Sequence, residues 1–317
     1  MVAASYAADT GAVYSISSMI RVLGTIIAGL LGLAFGSFLN VCLSRWPRGE
    51  SIIHPRSHCM SCGRTLEWWE NVPLASWLAL RGRCLSCGAW IGWRYPLVEL
   101  AVGVLWATVA WQVLASTTGL VPSDLLWAAA IHGLSQMILL WLLVALLILD
   151  FEHLWLPNRI TIPGILFGFA TTLLYAAVNS NRVFAFYGAL GLRSRFMWDV
   201  VWRRLLAIVV AAGLILLIRW IYWLIRRREG IGLGDAKLMA MLAAWLGLPG
   251  ALLSFGLGVV LGAIAALVLL VLPSTREDKT GWAHIKLPLG TFLCVGGIVS
   301  SLWGERIIDA YRRWTGF

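Results

Sequence analysis

Two aspartates stand at the ends of apolar segments. Asp150 closes one in LLILDFEHLWLPNRIT, and Asp235 opens another in GIGLGDAKLM. Taken singly, Asp150 reads as a helix-end charge with Glu152 and His153 as solvated neighbours, and Asp235 as an N-cap. Taken together, at one depth, they read differently. Two carboxylates that face one another share a proton, because like charges close together do not both ionise cheaply. One then activates water as a general base while the other protonates a leaving amine, with no metal and no covalent intermediate. Neither GxSxG nor HExxH occurs in the chain, so no serine or zinc hydrolase pattern competes. Gly232 and Gly234 would let backbone approach a peptide closely. Lys237 reads either as a tuner of the pair, or holder of a substrate carboxylate, or as a basic anchor.

A second chemistry lies in CMSCG, residues 59–63, and CLSCG, residues 84–88. The spacing is C-x2-C-x21-C-x2-C, a metal-site pattern. Thiolates of Cys59, Cys62, Cys84 and Cys87 can close a tetrahedral shell around zinc with no position open to substrate, which points to a structural ion. Gly63 and Gly88 suit the tight turn after each pair. The segment is too short for a core of its own, so a metal staple makes physical sense. His54 and His58 flank the first pair as possible competing ligands. Cys42 and Cys294 fall in apolar spans and read as packing, and His132, His153 and His284 read as ordinary polar residues. Glu99, just inside an apolar span, is an ionisable group at membrane depth and a functional suspect for that reason.

The elements that must position these residues follow from composition. Of 317 residues, 60% are hydrophobic and 13% charged, against about 25% charged in a soluble domain. Mean hydropathy is +0.83. The expected fold is an all-α polytopic membrane protein of about eight transmembrane helices, with a small zinc-binding cytoplasmic domain between helices 1 and 2. Apolar spans fall near 22–43, 97–115, 125–149, 160–178, 205–225, 236–248, 251–272 and 287–302. The sixth is short, and six or seven helices with a re-entrant piece is the alternative. Residues 1–18 lack a basic n-region and carry Asp9, so they read as a tail before the first helix rather than a cleaved signal. The working division is 1–43, tail and first helix; 44–96, the cysteine domain; and 97–317, the membrane domain that carries both aspartates.

Charge sets the orientation. The connections 44–96, 150–159, 226–235 and 273–286, with Lys237, hold 15 of the Lys and Arg residues, while the opposite side holds 9. The excess places the first set, with the cysteines and both aspartates, in the cytoplasm. Arg203 and Arg204 run against this rule. A reducing cytoplasm favours metal over disulfides. Basic loops beside anionic lipid headgroups account for the net charge of +10 without a nucleic-acid partner.

With these motifs in place, the chain resembles the type IV prepilin peptidases, bifunctional leader peptidases and N-methyltransferases of pilus and type II secretion systems, in the GxGD class of membrane aspartic proteases. GSFLNVCLSRWPRGESIIHPRSHCMSCG and ENVPLASWLALRGRCLSCGAWIGWRYPLVE resemble the family's N-terminal cytoplasmic domain. LDFEHLWLPNRIT and GLGDAKL resemble its two aspartate motifs, and LPLGTFL, residues 287–293, its late Pro-Phe-Gly-Pro-like segment. The resemblance implies that Asp150 and Asp235 are the catalytic pair, that Gly232 and Gly234 shape the turn presenting Asp235 with Lys237 beside it, and that the four cysteines hold zinc. It implies prepilin or pseudopilin substrates, S-adenosylmethionine as methyl donor, and residence in the bacterial inner membrane among its lipids.

The chain departs from the family at two points. Leu289 and Thr291 stand where members often carry Phe and Pro, which is expected to alter packing near the site. Glu70-Asn71-Val72-Pro73 has Glu in place of Asp, in the part linked to methyl transfer. Asn40, Arg45, Glu70 and Asn71 are candidate residues for that second reaction. Three rivals fit less well. A proton-coupled transporter would set its acids near the midplane, often within repeats. A zinc-loop scaffold gives the aspartates no task. Other GxGD proteases lack a four-cysteine loop ahead of the catalytic helices.

Overall fold

The computed structural model describes residues 2–117, 123–187, 190–227, 232–271 and 287–316. The helices are α1 (Val2–Arg45), α2 (Ala75–Ala79), α3 (Arg94–Ser116), α4 (Ser123–His153), α5 (Asn158–Tyr187), α6 (Leu190–Arg226), α7 (Leu233–Val271) and α8 (Leu289–Thr315). No strand forms among the described residues; two isolated bridges, at His58 with Thr65 and Arg83 with Trp90, are the sole β pairing there. Among the described residues seven helices are long and apolar enough to cross a membrane, which makes this a multi-pass membrane protein. Helix α1 takes in the segment expected as a tail, because an Ala-rich stretch favours helix and nothing between Val2 and the first span breaks it. The predicted connection 273–286 lies outside the described residues, as do residues 228–231 of the connection 226–235.

The chain parts into two compact units, Met1–Val144 and Ala145–Phe317, with the division inside α4. In the first unit α1 and α3 pack antiparallel along a glycine seam. A Cβ on Gly32 would fall 2.8 Å from the Val102 carbonyl, and one on Gly36 would fall 2.6 Å from Cα of Glu99. Only glycine permits this approach, and the Gly32-xxx-Gly36 spacing is the small-residue pattern membrane helices use to come together. The indole of Trp106 donates to the Met137 carbonyl at 3.0 Å, and that of Trp141 to the Phe35 carbonyl at 3.1 Å, fastening the middle of α4 to this pair.

In the second unit, α7 is broken. Gly247 has φ 73° and ψ 179°, a region open essentially to glycine alone. A straight helix would separate Gly234 from Gly258 by about 36 Å. Yet Gly234 packs on Leu156, which also touches Gly290, while Gly258 packs on Leu293, one turn along from Gly290. Helix α7 therefore doubles back at Gly247 into two arms, α7a (233–246) and α7b (248–271). The arms correspond to the sixth and seventh expected spans. At 14 residues, α7a rises about 21 Å, short of the roughly 30 Å hydrocarbon core.

One of the two arginines set apart by the expected charge distribution has its contact here. Arg204 of α6 donates to the Ala243 carbonyl at 3.2 Å, and its Nη1 would lie 3.1 Å from a Cβ on Gly247. It supplies positive charge to the carbonyl end of α7a, where the helix dipole favours a cation. Helix α5 runs beside α7a, with the Trp245 indole donating to Gly164 at 2.9 Å and Thr172 to Ala244 at 3.2 Å. Large apolar side chains such as Leu166, Leu206 and Val260 face outward, as lipid contact requires.

Candidate functional site

Asp150 and Asp235 come together in the second unit. Both are buried. Asp150 lies three residues before the end of α4, and Asp235 in the first turn of α7. Oδ2 of Asp150 accepts the backbone N–H of Thr291 at 2.7 Å and its hydroxyl at 3.1 Å. Thr291 sits in the first turn of α8, where backbone amides have no partner within the helix and the dipole favours a carboxylate. Gly290 is obligatory beside it, because a Cβ there would lie 2.8 Å from Asp150 Oδ2. The Gly232 backbone lies beside the Asp235 carboxylate, and the charge of Asp150 acts on that carboxylate directly. The buried thiol of Cys294, one turn along α8 from Thr291, lies within the field of both carboxylates. Two adjacent buried carboxylates, each held at a helix N-terminus, form an arrangement that can share one proton and polarise a water.

The remaining predicted residues flank the pair. Gly234 lies against Leu156, with a would-be Cβ 3.0 Å from the leucine Cβ. Lys237 Nζ donates to Asn158 Oδ1 at 2.6 Å, so the residue with two sequence readings joins the Leu-Pro-Asn segment to the Gly-Asp segment. Sequence reasoning missed Thr291 as a donor, Leu156 as the shared wall and Asn158 as the lysine's partner. Pro288 just ahead of α8 was the available signal for free amides pointing at Asp150.

In the first unit the four cysteines converge, with their Sγ atoms all within 4.8 Å of one another. Each pair sits on the same turn. The Gly63 amide donates to Cys59 O and the Gly88 amide to Cys84 O, both at 2.9 Å, and both glycines have positive φ, 73° and 68°. Amides of Cys87 and Ser86 hold the Cys84 thiol down to about 6, and those of Cys62 and Ser61 lower Cys59. Cys59 Sγ and Cys87 Sγ are 3.8 Å apart, which matches the roughly 3.8 Å edge of a tetrahedron with zinc–sulfur bonds of about 2.3 Å. The cluster can hold a metal ion. His58 turns away, its Nδ1 3.1 Å from Arg56 O, so it does not compete.

Beside this cluster is a cavity of about 590 Å³, lined by Asn40, Arg45, Glu70 and Asn71 together with Trp77, Tyr95 and Glu99. The four candidates for the second reaction thus share one space. Three of them are engaged by the protein itself, Asn40 through its Nδ2, which donates to Tyr95 O at 3.0 Å. Arg45 donates to Ser51 O at 2.8 Å and Pro55 O at 2.6 Å. Glu70 accepts from Arg64 and from the Glu67 amide, bracing the turn after the first cysteine pair.

Comparison with known proteins places the chain in a family. Residues 30–113 match the bacterial peptidase A24 N-terminal domain, and residues 137–267 match the type IV leader peptidase family. The prepilin leader peptidase/N-methyltransferase of Pseudomonas aeruginosa is 32% identical over 91% of this chain and 93% of its own. The protein of that name from Pseudomonas putida is 32% identical over 92% and 94%. That from Myxococcus xanthus is 37% identical over 79% of this chain and 64% of its own. No solved structure gives a significant match. With two matched domains covering both the cysteine cluster and the aspartate pair, the chain belongs to the type IV leader peptidase family.

Proposed function

We propose that this membrane protein cleaves the leader peptides of type IV prepilins or pseudopilins and then methylates the new N-terminal amine. The observation that carries the first step is the burial of Asp150 beside Asp235, with Thr291 amide and hydroxyl on one carboxylate and the Gly232 backbone beside the other. The ionised member of the pair takes a proton from water as it attacks the scissile carbonyl. The protonated member gives its proton to the departing amine. Gly232 and Gly234 leave room for substrate backbone, and Lys237 holds the two segments in register through Asn158.

The second step uses the cavity in the first unit. Asn40, Asn71, Trp77, Tyr95 and Glu99 line the space that would hold S-adenosylmethionine, and the orphaned Oδ1 of Asn40 marks it as a place where a polar ligand fits. When bound, that donor supplies a methyl group on a sulfonium sulfur, which departs as a thioether as the new N–C bond forms. Zinc on Cys59, Cys62, Cys84 and Cys87 is structural in this reading. It leaves no open coordination position, and it fixes the wall of the cavity that Cys59 and Cys84 line. Residues 44–96 then act as the zinc-bearing module and 97–317 as the protease domain, although the compact units themselves divide at Val144. The basic-residue asymmetry supports an inner-membrane protein with both centres on the cytoplasmic side.

The test is mass spectrometry of a purified prepilin after incubation with the reconstituted protein. Loss of the leader without added donor, and one further methyl group with it, is the expected result. Intact precursor after incubation with folded protein would overturn the reading.

A further inference from the structure

Glu99 takes no part in cleavage as described, and its surroundings pose a question of charge. It is 7% exposed and Asn40 is 2% exposed. Both line the 590 Å³ cavity. Oε2 of Glu99 accepts the Leu74 amide at 2.8 Å, and the Ser37 hydroxyl lies beside the carboxylate. Among the described residues no Lys or Arg pairs with it. Arg45, the buried cation of the same cavity, is turned to the carbonyls of Ser51 and Pro55.

Asn40 adds a second acceptor. Its Nδ2 donates to Tyr95 O at 3.0 Å, and Tyr95 is one helical turn before Glu99. Anchored that way, its Oδ1 is buried with no hydrogen-bond partner. Ser37, one turn before Asn40 on α1, brings the facing helix to the level of Glu99. The glycine at position 36 makes this possible, since it lets α1 approach the backbone of Glu99 itself. A buried carboxylate without a cation and a buried amide oxygen without a donor each carry a desolvation cost. A group offering positive charge and several N–H donors answers both at once. A primary ammonium has three such donors.

We propose that Glu99 and Asn40 form a seat for a primary ammonium group at the methyl-transfer cavity. The inference rests on the methyl-transfer reading above, which supplies two sources of that chemistry. One is the α-amine of the freshly cut peptide, held for methylation. The other is the α-amine of the methyl donor's amino-acid portion.

Binding measurements on reconstituted full-length protein separate them. The probes are radiolabelled S-adenosylmethionine and a leaderless peptide with either a free or an acetylated N-terminus. Glu99→Gln retains an acceptor for the Leu74 amide and removes only the charge, and its melting temperature and metal content verify the fold. A peptide seat predicts that Glu99→Gln weakens the free-amine peptide at least tenfold, abolishes its preference over the acetylated one, and leaves donor affinity alone. A donor seat predicts a tenfold or greater loss of donor affinity with peptide binding unchanged. Asn40→Leu, with melting temperature and metal content again verifying the fold, weakens the same probe that Glu99→Gln weakens. If folded Glu99→Gln protein binds both probes as the parent does, the seat is wrong even where the parent methylates normally. A parent that binds the donor yet transfers no methyl group contradicts the reading beneath it instead, and the Glu99→Gln binding result still decides the seat.

Discussion

Thr291 donates both its amide and its hydroxyl to the same oxygen of Asp150, at 2.7 and 3.1 Å. The family this chain resembles often carries proline at this position, and proline has no amide hydrogen to give. Here, the first turn of α8 acts as a two-donor clamp on one carboxylate. Thr291→Val keeps the amide and removes the hydroxyl. One hydrogen bond to a charged group contributes about 1.5–3 kcal/mol net, so cleavage should fall about ten- to a hundredfold in kcat with little change in KM. Steady-state kinetics on a prepilin peptide checks this, and an unchanged kcat would show that the hydroxyl is a bystander.

Lys237 and Asn158 should behave as a unit. Their 2.6 Å bond joins the segment after Asp150 to the segment that holds Asp235. Lys237→Ala and Asn158→Ala are each expected to slow cleavage, and the double variant should be no worse than the poorer single one. The coupling energy of such a contacting pair is about 0.5–3 kcal/mol. Additive losses in a double-mutant cycle would mean that the bond does not position the site.

The break at Gly247 sets where Asp235 stands, because α7a hangs from it. Gly247→Ala forces a side chain into φ 73°, ψ 179°, at about 1–3 kcal/mol. Arg204→Leu removes the cation from the carbonyl end of α7a, for up to about 2 kcal/mol in a partly buried setting. Both variants should melt at lower temperature in detergent and cut more slowly. Full activity and an unshifted melt for Gly247→Ala would argue that α7 does not need its hairpin.

Metal content tests the cysteine cluster independently of catalysis. Folded protein is expected to carry about one zinc per chain, as a closed four-thiolate site requires. Cys84→Ser should lose that zinc and loosen the module, whose short polypeptide has little other core. Elemental analysis and limited proteolysis of residues 44–96 read both effects. Stoichiometric zinc in Cys84→Ser would exclude the four-cysteine site.

Much of this site was legible in the sequence, and the gaps have physical causes. Asp150, Asp235 and the four cysteines announce themselves by residue type and spacing, since a carboxylate beside an apolar run and a CxxC pair each have few other uses. Gly63 and Gly88 followed from the turn that a metal knuckle needs. Thr291 was not read as a donor to Asp150, because the contact joins residues 141 apart and its shorter bond comes from a backbone amide, which leaves no mark on residue type. Arg204 looked like an exception to the charge rule, yet its role depends on where α7 breaks. The sixth span was short for a reason visible only in three dimensions, as one arm of a hairpin. The α1–α3 seam did have a signal, Gly32-xxx-Gly36, but its consequence for Glu99 came from the depth at which the helices meet.

The central claim is that Asp150 and Asp235 act together on a peptide bond. The most direct measurement is the single-turnover cleavage rate of a prepilin by Asp150→Asn and Asp235→Asn, each inserted in membranes at the parent's level. Removing either group from an acid–base pair should lower the rate by at least about 10²–10⁴-fold, and the double variant should be no slower than the worse single one. Normal cleavage by either variant would contradict the account.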